Sequence, residues 1–88
     1  MKIETIRVQN RLGLHARPCS LLVKTANKFR SEFYIKKDDM KVNGKSIMGV
    51  MMLAAECDSV LELITEGVDE DEAMEAILTL LETRFDED

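Results

Sequence analysis

The spacing of apolar residues changes period several times along this chain, and the order of those changes restricts the folds open to it. "KIETIRV" alternates, with Ile6 and Val8 as the inward pair of a strand. After the loop "QNRLGL", Leu21, Leu22, Ala26 and Phe29 recur at helical spacing. They predict a helix from about Ala16 to Phe29 with Pro18 in its first turn, where a missing N–H costs little. "EFYIKKDDMKVNGK" predicts two short strands around Asp38 and Asp39, with Phe33, Ile35 and Val42 inward and acidic turn residues that tolerate positive φ. Ser46 suits the cap of a short helix over "IMGVMMLAAE", after which "CDS" turns the chain into the strand "VLELITEG", with Leu61 and Leu63 on one face. Finally, Asp69 and Glu72 form a capping-box-like start to a helix striped by Ala73, Ile77, Leu80 and Leu81.

The resulting order is β-α-β-β-α-β-α, with no internal repeat or linker. A chain of 88 residues makes one domain, residues 1–88, around a single small core, for which two layers are the natural solution. Strands separated by helical crossovers, with one hairpin between them, suggest an antiparallel or mixed sheet carrying every helix on one side. The expected class is α+β: an open-faced two-layer sandwich, read as a four-stranded antiparallel sheet with three helices on one face.

The net charge of −5 hides a division along the chain. Residues 69–88 carry nine acids and one base, and the span from Arg7 to Lys45 carries ten bases against Glu32, Asp38 and Asp39. A basic face on an acidic molecule suits an acidic protein partner better than nucleic acid. A nucleic-acid-binding domain would also want surface-ready aromatics, and Tyr34 is the one candidate. No run approaches the roughly 20 apolar residues of a membrane span, and "MKIETIRVQN" lacks the apolar core of a secretion signal, so a soluble, cytoplasmic protein is expected, and a monomer with it. Cys19 and Cys57 lie among apolar residues at neither C-x-x-C nor metal-ligand spacing, which predicts buried free thiols and no metal site. The acidic tail reads as a solvated helix face with a frayed end and is assigned no chemistry.

Chemistry concentrates in "GLHARP". His15 is the only histidine, and it stands where a helix begins. The N–H groups of Ala16 and Arg17 and the positive end of the helix dipole favour anions there. The same dipole disfavours a charged ring, leaving an imidazole able to act as nucleophile, and Arg17 can pair with phosphoryl oxygens. From the spacing alone a capping or solvated histidine is the better reading, since H-x-R-P is a weak pattern. No second histidine, serine triad or carboxylate pair suggests hydrolysis. Ser46 is the second candidate, with plain N-capping as its alternative reading. The helix after it is apolar nearly all round: if Val50 and Leu53 face the core, Ile47, Met48 and Met51 are left as a surface patch, and flexible methionines suit a docking surface.

Taken together, "GLHARP", "VNGKSIMGVMMLAA" about thirty residues later and "EGVDEDEA" before the last helix resemble the HPr family, the histidine-containing phosphocarriers of the phosphoenolpyruvate-dependent sugar phosphotransferase system. The resemblance implies that His15 accepts a phosphoryl group on Nδ1 from enzyme I and passes it to an enzyme IIA domain. It implies that Arg17 supports the phosphorylated state, and that Ser46 is a phosphorylation site for an ATP-dependent HPr kinase/phosphorylase. Ser20 and Lys24, with Ile47, Met48 and Met51, would be the docking surface for enzyme I and enzyme IIA. Such a protein is a carrier rather than an independent enzyme and needs no cofactor. The alternative is a regulatory module that signals through phosphorylated Ser46 to a transcription regulator or other effector. The chain departs from the family pattern at Asp39 and Asp58, where glycine is common, and at Cys19, where alanine is usual. That last change sets a thiol near His15 and raises the question of redox sensitivity.

Overall fold

Changes of apolar period become element boundaries. The computed structural model describes residues 1–11 and 13–83. Its elements are β1 (Lys2–Arg7), α1 (Ala16–Ala26), β2 (Glu32–Lys37), β3 (Met40–Asn43), α2 (Ile47–Met52), β4 (Val60–Glu66) and α3 (Glu70–Glu82). The four strands form one sheet in the order β1-β4-β2-β3, antiparallel at every pairing. Because β4 is central, its Leu61, Leu63 and Thr65 are buried along with Phe33 and Ile35 of β2. The helices cover that side: α3 packs on β4 and β1, α2 on β3, and α1 touches both other helices. The expected two-layer sandwich is the fold, and Ile6 and Val8 face inward as expected, Val8 fully buried just beyond β1. Fully burying a side chain such as Phe33 or Leu22 contributes about 1.5–3 kcal/mol, so a core this small depends on each one.

Several local expectations give way to tertiary contacts. The first helix stops at Ala26 instead of reaching Phe29, because Asn27 takes the C-cap position and its side chain donates back to the Val23 carbonyl at 2.9 Å. The second ends at Met52 rather than continuing through "LAAE". Ala54 has φ +49°, a left-handed conformation that terminates a helix, and the Lys37 ammonium meets the Leu53 and Ala54 carbonyls at 3.3 and 3.4 Å. In the β2–β3 hairpin it is Asp38, at φ +55°, and not Asp39, that takes the left-handed position, and Asp58, at φ +73°, takes it in the turn before β4. Cys57 is exposed, contrary to the buried thiol expected, because it lies in the loop leading to β4 and not in an element. The helical stripe of α3 also includes buried Met74. The expected frayed end, residues 84–88, lies outside the described residues.

Candidate functional site

The turn before α1 is built by backbone contacts to the loop that leads into β4. Val8 N–H donates to the Ser59 carbonyl and Asp58 N–H to the Val8 carbonyl, both at 2.8 Å, bringing the loop from Ala54 to Ser59 beside the chain leaving β1. Gly13 N–H then bonds the Asn10 carbonyl at 2.9 Å and Leu14 N–H the Ala55 carbonyl at 2.8 Å. Gly13 has φ +73°, and a Cβ there would lie 2.5 Å from the Ala55 carbonyl oxygen, so both the conformation and the close approach exclude a side chain. Leu14 is buried as the anchor.

His15 follows as the N-cap of α1, with extended backbone, and its carbonyl accepts the first helical bond from Cys19 N–H at 3.0 Å. Its side chain makes no capping hydrogen bond, and no acidic residue occupies the first turn. The residue is half-buried and its Nε2 atom is enclosed; Nδ1 is the other ring nitrogen. Arg17, exposed in the first turn, stands two residues on. A helix start without fixed acids, a histidine at its cap and an arginine two residues on make a setting for a transferable anion. Cys19 is fully buried, and its thiol donates to the Leu14 carbonyl at 3.2 Å. Burial pushes that thiol's pKa up, away from the reactive thiolate that redox sensitivity would need.

Ser46 is the N-cap of α2, its Oγ accepting Gly49 N–H at 3.1 Å, so the capping expected of it is present. A reciprocal latch holds this corner against the end of α1. Asn27 Nδ2 donates to the Lys45 carbonyl at 3.2 Å, and Lys45 Nζ donates to the Phe29 carbonyl at 2.8 Å. Val50 and Leu53 are buried, as the apolar pattern requires if α2 turns them inward, while Ile47, Met48 and Met51 are exposed, Met48 by 75%. Met52, 64% exposed, extends the patch; its i, i+4 relation to Met48 was the available signal. Ser20 and Lys24 are exposed one turn apart on α1, which packs against α2, so the two strips belong to one layer.

The start of α3 is arranged differently. Asp69 does not join a capping box with Glu72: its carboxylate accepts from the Arg30 and Ser31 N–H groups at 2.9 and 2.8 Å and from the Ser31 hydroxyl, tying α3 to the start of β2. Those bonds, the Ser31 hydroxyl first, hold its pKa down at about 2. Glu70 instead accepts Gly67 N–H at 3.1 Å and pairs with the Met1 ammonium at 2.8 Å, the ammonium being the first cause of its own lowered pKa. Among the described residues no three metal-ligating side chains come together, and no helix is long and apolar enough to cross a membrane.

Comparison with known proteins converges on one family. The family model described as "PTS HPr component phosphorylation site" matches residues 3–83. The chain is 49% identical over 88 residues to the phosphocarrier protein HPr of Treponema pallidum (strain Nichols), covering 100% of both chains. It is 53% identical over 77 residues to the HPr-like protein Crh of Halalkalibacterium halodurans, covering 88% of this chain and 92% of that one. The crystal structure of HPr-C-His from Thermoanaerobacter tengcongensis superimposes with a TM-score of 0.97 at 49% identity, covering 100% of this chain and 99% of the other. A dimer of HPr from that organism, also 49% identical, matches at a TM-score of 0.80, covering 99% and 100%.

Proposed function

The chain belongs to the HPr family, and we propose from that premise that it accepts a phosphoryl group from phospho-enzyme I on His15 and hands it to the enzyme IIA domains of sugar permeases. The observation that carries the assignment of His15 is the enclosure of Nε2 at a helix start that holds no acid of its own. In the transfer, the Nδ1 lone pair attacks phosphorus. The new N–P bond forms as the bond to the donor breaks, the donor keeping that electron pair, while the imidazole proton stays on Nε2. Arg17 and the N–H groups opening α1 receive the phosphoryl oxygens, so the protein's part is positioning and charge, which is what phosphoryl transfer asks of it. The group leaves to enzyme IIA by the same exchange, and no cofactor takes part. Ser20, Lys24, Ile47, Met48 and Met51 form the surface on which both partners dock. All these groups come from one chain, so a monomer is the working carrier.

Incubation with phosphoenolpyruvate and enzyme I should yield an acid-labile, base-stable phosphoprotein that disappears in His15→Ala. A label that survives the substitution overturns the assignment.

Ser46 supplies the regulation. Phosphorylation by an HPr kinase/phosphorylase would add a charge of roughly −1.5 to −2 at the cap of α2, where it is locally tolerated, and beside the apolar patch, where it would repel an acidic partner. Ser46→Asp should therefore slow His15 phosphorylation while moving the thermal midpoint little; a large loss of stability would refute this. The similarity to Crh favours a second reading, in which phosphorylated Ser46 is read by a transcription regulator. Pull-down of such a regulator by Ser46-phosphorylated protein, with no phosphoryl transfer to any enzyme IIA, would establish that role instead.

A further inference from the structure

Half of α2 is methionine, and those side chains point out of the fold. Met48, Met51 and Met52 are exposed by 75%, 46% and 64%, whereas Met74 on α3 is fully buried. At i, i+3 and i+4, Met51 and Met52 are both helical neighbours of Met48. Val50 and Leu53 make the core contact of α2, and Ser46 caps it through Gly49 N–H, so packing and cap are supplied by other residues. Thioethers and thiols are the side chains that take oxygen from a peroxide. Of the two thiols, Cys19 is buried and bonded to the Leu14 carbonyl, and Cys57 is exposed in the loop before β4.

We propose that Met48, Met51 and Met52 form a reversible oxidation site, at which a hydroperoxide closes the docking surface without unfolding the protein. The proposal rests on the carrier reading, which places Met48 and Met51 on that surface. In the step, a lone pair on Sγ attacks one oxygen of hydrogen peroxide. The S–O bond forms as the O–O bond breaks, sulfur losing the electron pair that the peroxide gains. The transferred hydroxyl gives its proton to the departing hydroxide, which leaves as water. A flexible apolar side chain thereby becomes a polar sulfoxide. A partner surface shaped for thioethers offers that oxygen no donor, so docking strips its water without replacing the hydrogen bond. The turn of His15 is untouched, and buried Met74 keeps the core intact. A methionine sulfoxide reductase returns the thioether. The helix capped by Ser46 thus receives a second input, neutral where a phosphate is charged.

The full chain treated with hydrogen peroxide, then cleared of it and given a thiol reductant to restore Cys57, tests the site. Peptide masses should show one added oxygen on each of Met48, Met51 and Met52 and none on Met74, and the thermal midpoint should move little. With enzyme I and phosphoenolpyruvate, the KM for the oxidised chain should be about tenfold higher with kcat nearly kept, and sulfoxide reductases should reverse the change. M48L/M51L/M52L, whatever its own KM, should have the same value before and after peroxide, although Met1 and Met40 stay exposed to it. Full oxidation of the three methionines with unchanged KM, a loss that vanishes with the thiol reductant alone, or an equal loss in M48L/M51L/M52L would each overturn the proposal. Should that variant fail to fold, reversal by the reductases on the native chain decides. An untreated chain that accepts no phosphoryl group brings down the carrier reading, and this proposal with it.

Discussion

Two helices in this molecule begin in opposite ways. At α3 the positive end of the helix is filled from within: Glu70, Asp71 and Glu72 occupy the first turn, and Asp69 spends its carboxylate on Arg30 and Ser31. At α1 no acid stands in the first turn, and the cap is a histidine whose side chain leaves the helix start uncapped. The same backbone dipole thus meets acids of the helix itself at one site and none at the other, which is what the proposed phosphoryl acceptance asks for. A helix start that is not filled by its own side chains costs stability, and the contacts that fix it come from elsewhere, through Gly13, Leu14 and the Ala55 carbonyl.

The most severe way to break this contrast is to make α1 resemble α3. Ala16→Glu puts a carboxylate into the exposed first turn of α1. It should stabilise the fold slightly, by about 0.3–1 kcal/mol, yet slow phosphorylation of His15 by about tenfold through repulsion of the arriving phosphoryl group. Stopped assays with phosphoenolpyruvate and enzyme I, alongside thermal melts, would show both effects. Unchanged transfer would mean that the start of α1 does not hold the anion.

The converse change empties α3. Asp69→Asn keeps the size of the side chain but removes the charge that holds Arg30 and Ser31, and should lower the thermal midpoint at neutral pH by several degrees. The pH dependence sharpens this. The folded value, about 2, lies below the ordinary 3.8, so the contribution of Asp69 is present above about pH 4 and is lost as pH falls toward 2. Melts of the native chain should decline through that window, and those of Asp69→Asn should decline less. Equal acid sensitivity would show that the knot at β2 contributes nothing.

The smallest effect is expected at the latch between the two proposed phosphorylation sites. Lys45→Met removes the bond to the Phe29 carbonyl but keeps the aliphatic stem. It should cost about 0.5 kcal/mol, which for a domain of this size is roughly 2–4 °C in the midpoint, and slow modification of Ser46 more than that of His15. Parallel rate measurements with the kinase and with enzyme I would separate the two.

Most of the architecture was legible because periodicity and turn chemistry agree here. The β-α-β-β-α-β-α order, the hairpin and the division of α2 into buried Val50 and Leu53 against exposed methionines all follow from local patterns. What was not legible depends on distant residues. Ala54 carries no mark of the left-handed conformation that ends α2; the Lys37 ammonium from β2 meets it there. Asp69 has the spacing of a capping box, and nothing local tells that Ser31 will take its carboxylate. Ile64 alternates as an outward residue and is buried all the same, because its strand lies between β1 and β2. At the site, His15, Arg17 and Ser46 could be picked out by motif, whereas the enclosure of Nε2 needed the folded turn.

The strand order has a consequence for how the chain is made. Among the described residues β1 precedes the other strands and pairs only with β4, the last of the four, which also holds β2, and through it β3, in the sheet. Until residues 60–66 have emerged, β1 has no neighbour, the hairpin has no sheet to join, and the turn bearing His15 lacks the loop that shapes it. Loop closure over that separation must be met before any reward arrives, which makes folding late and all-or-none. The turn bearing His15 is therefore assembled by the same event that completes the sheet, and a nascent chain short of that event lacks it.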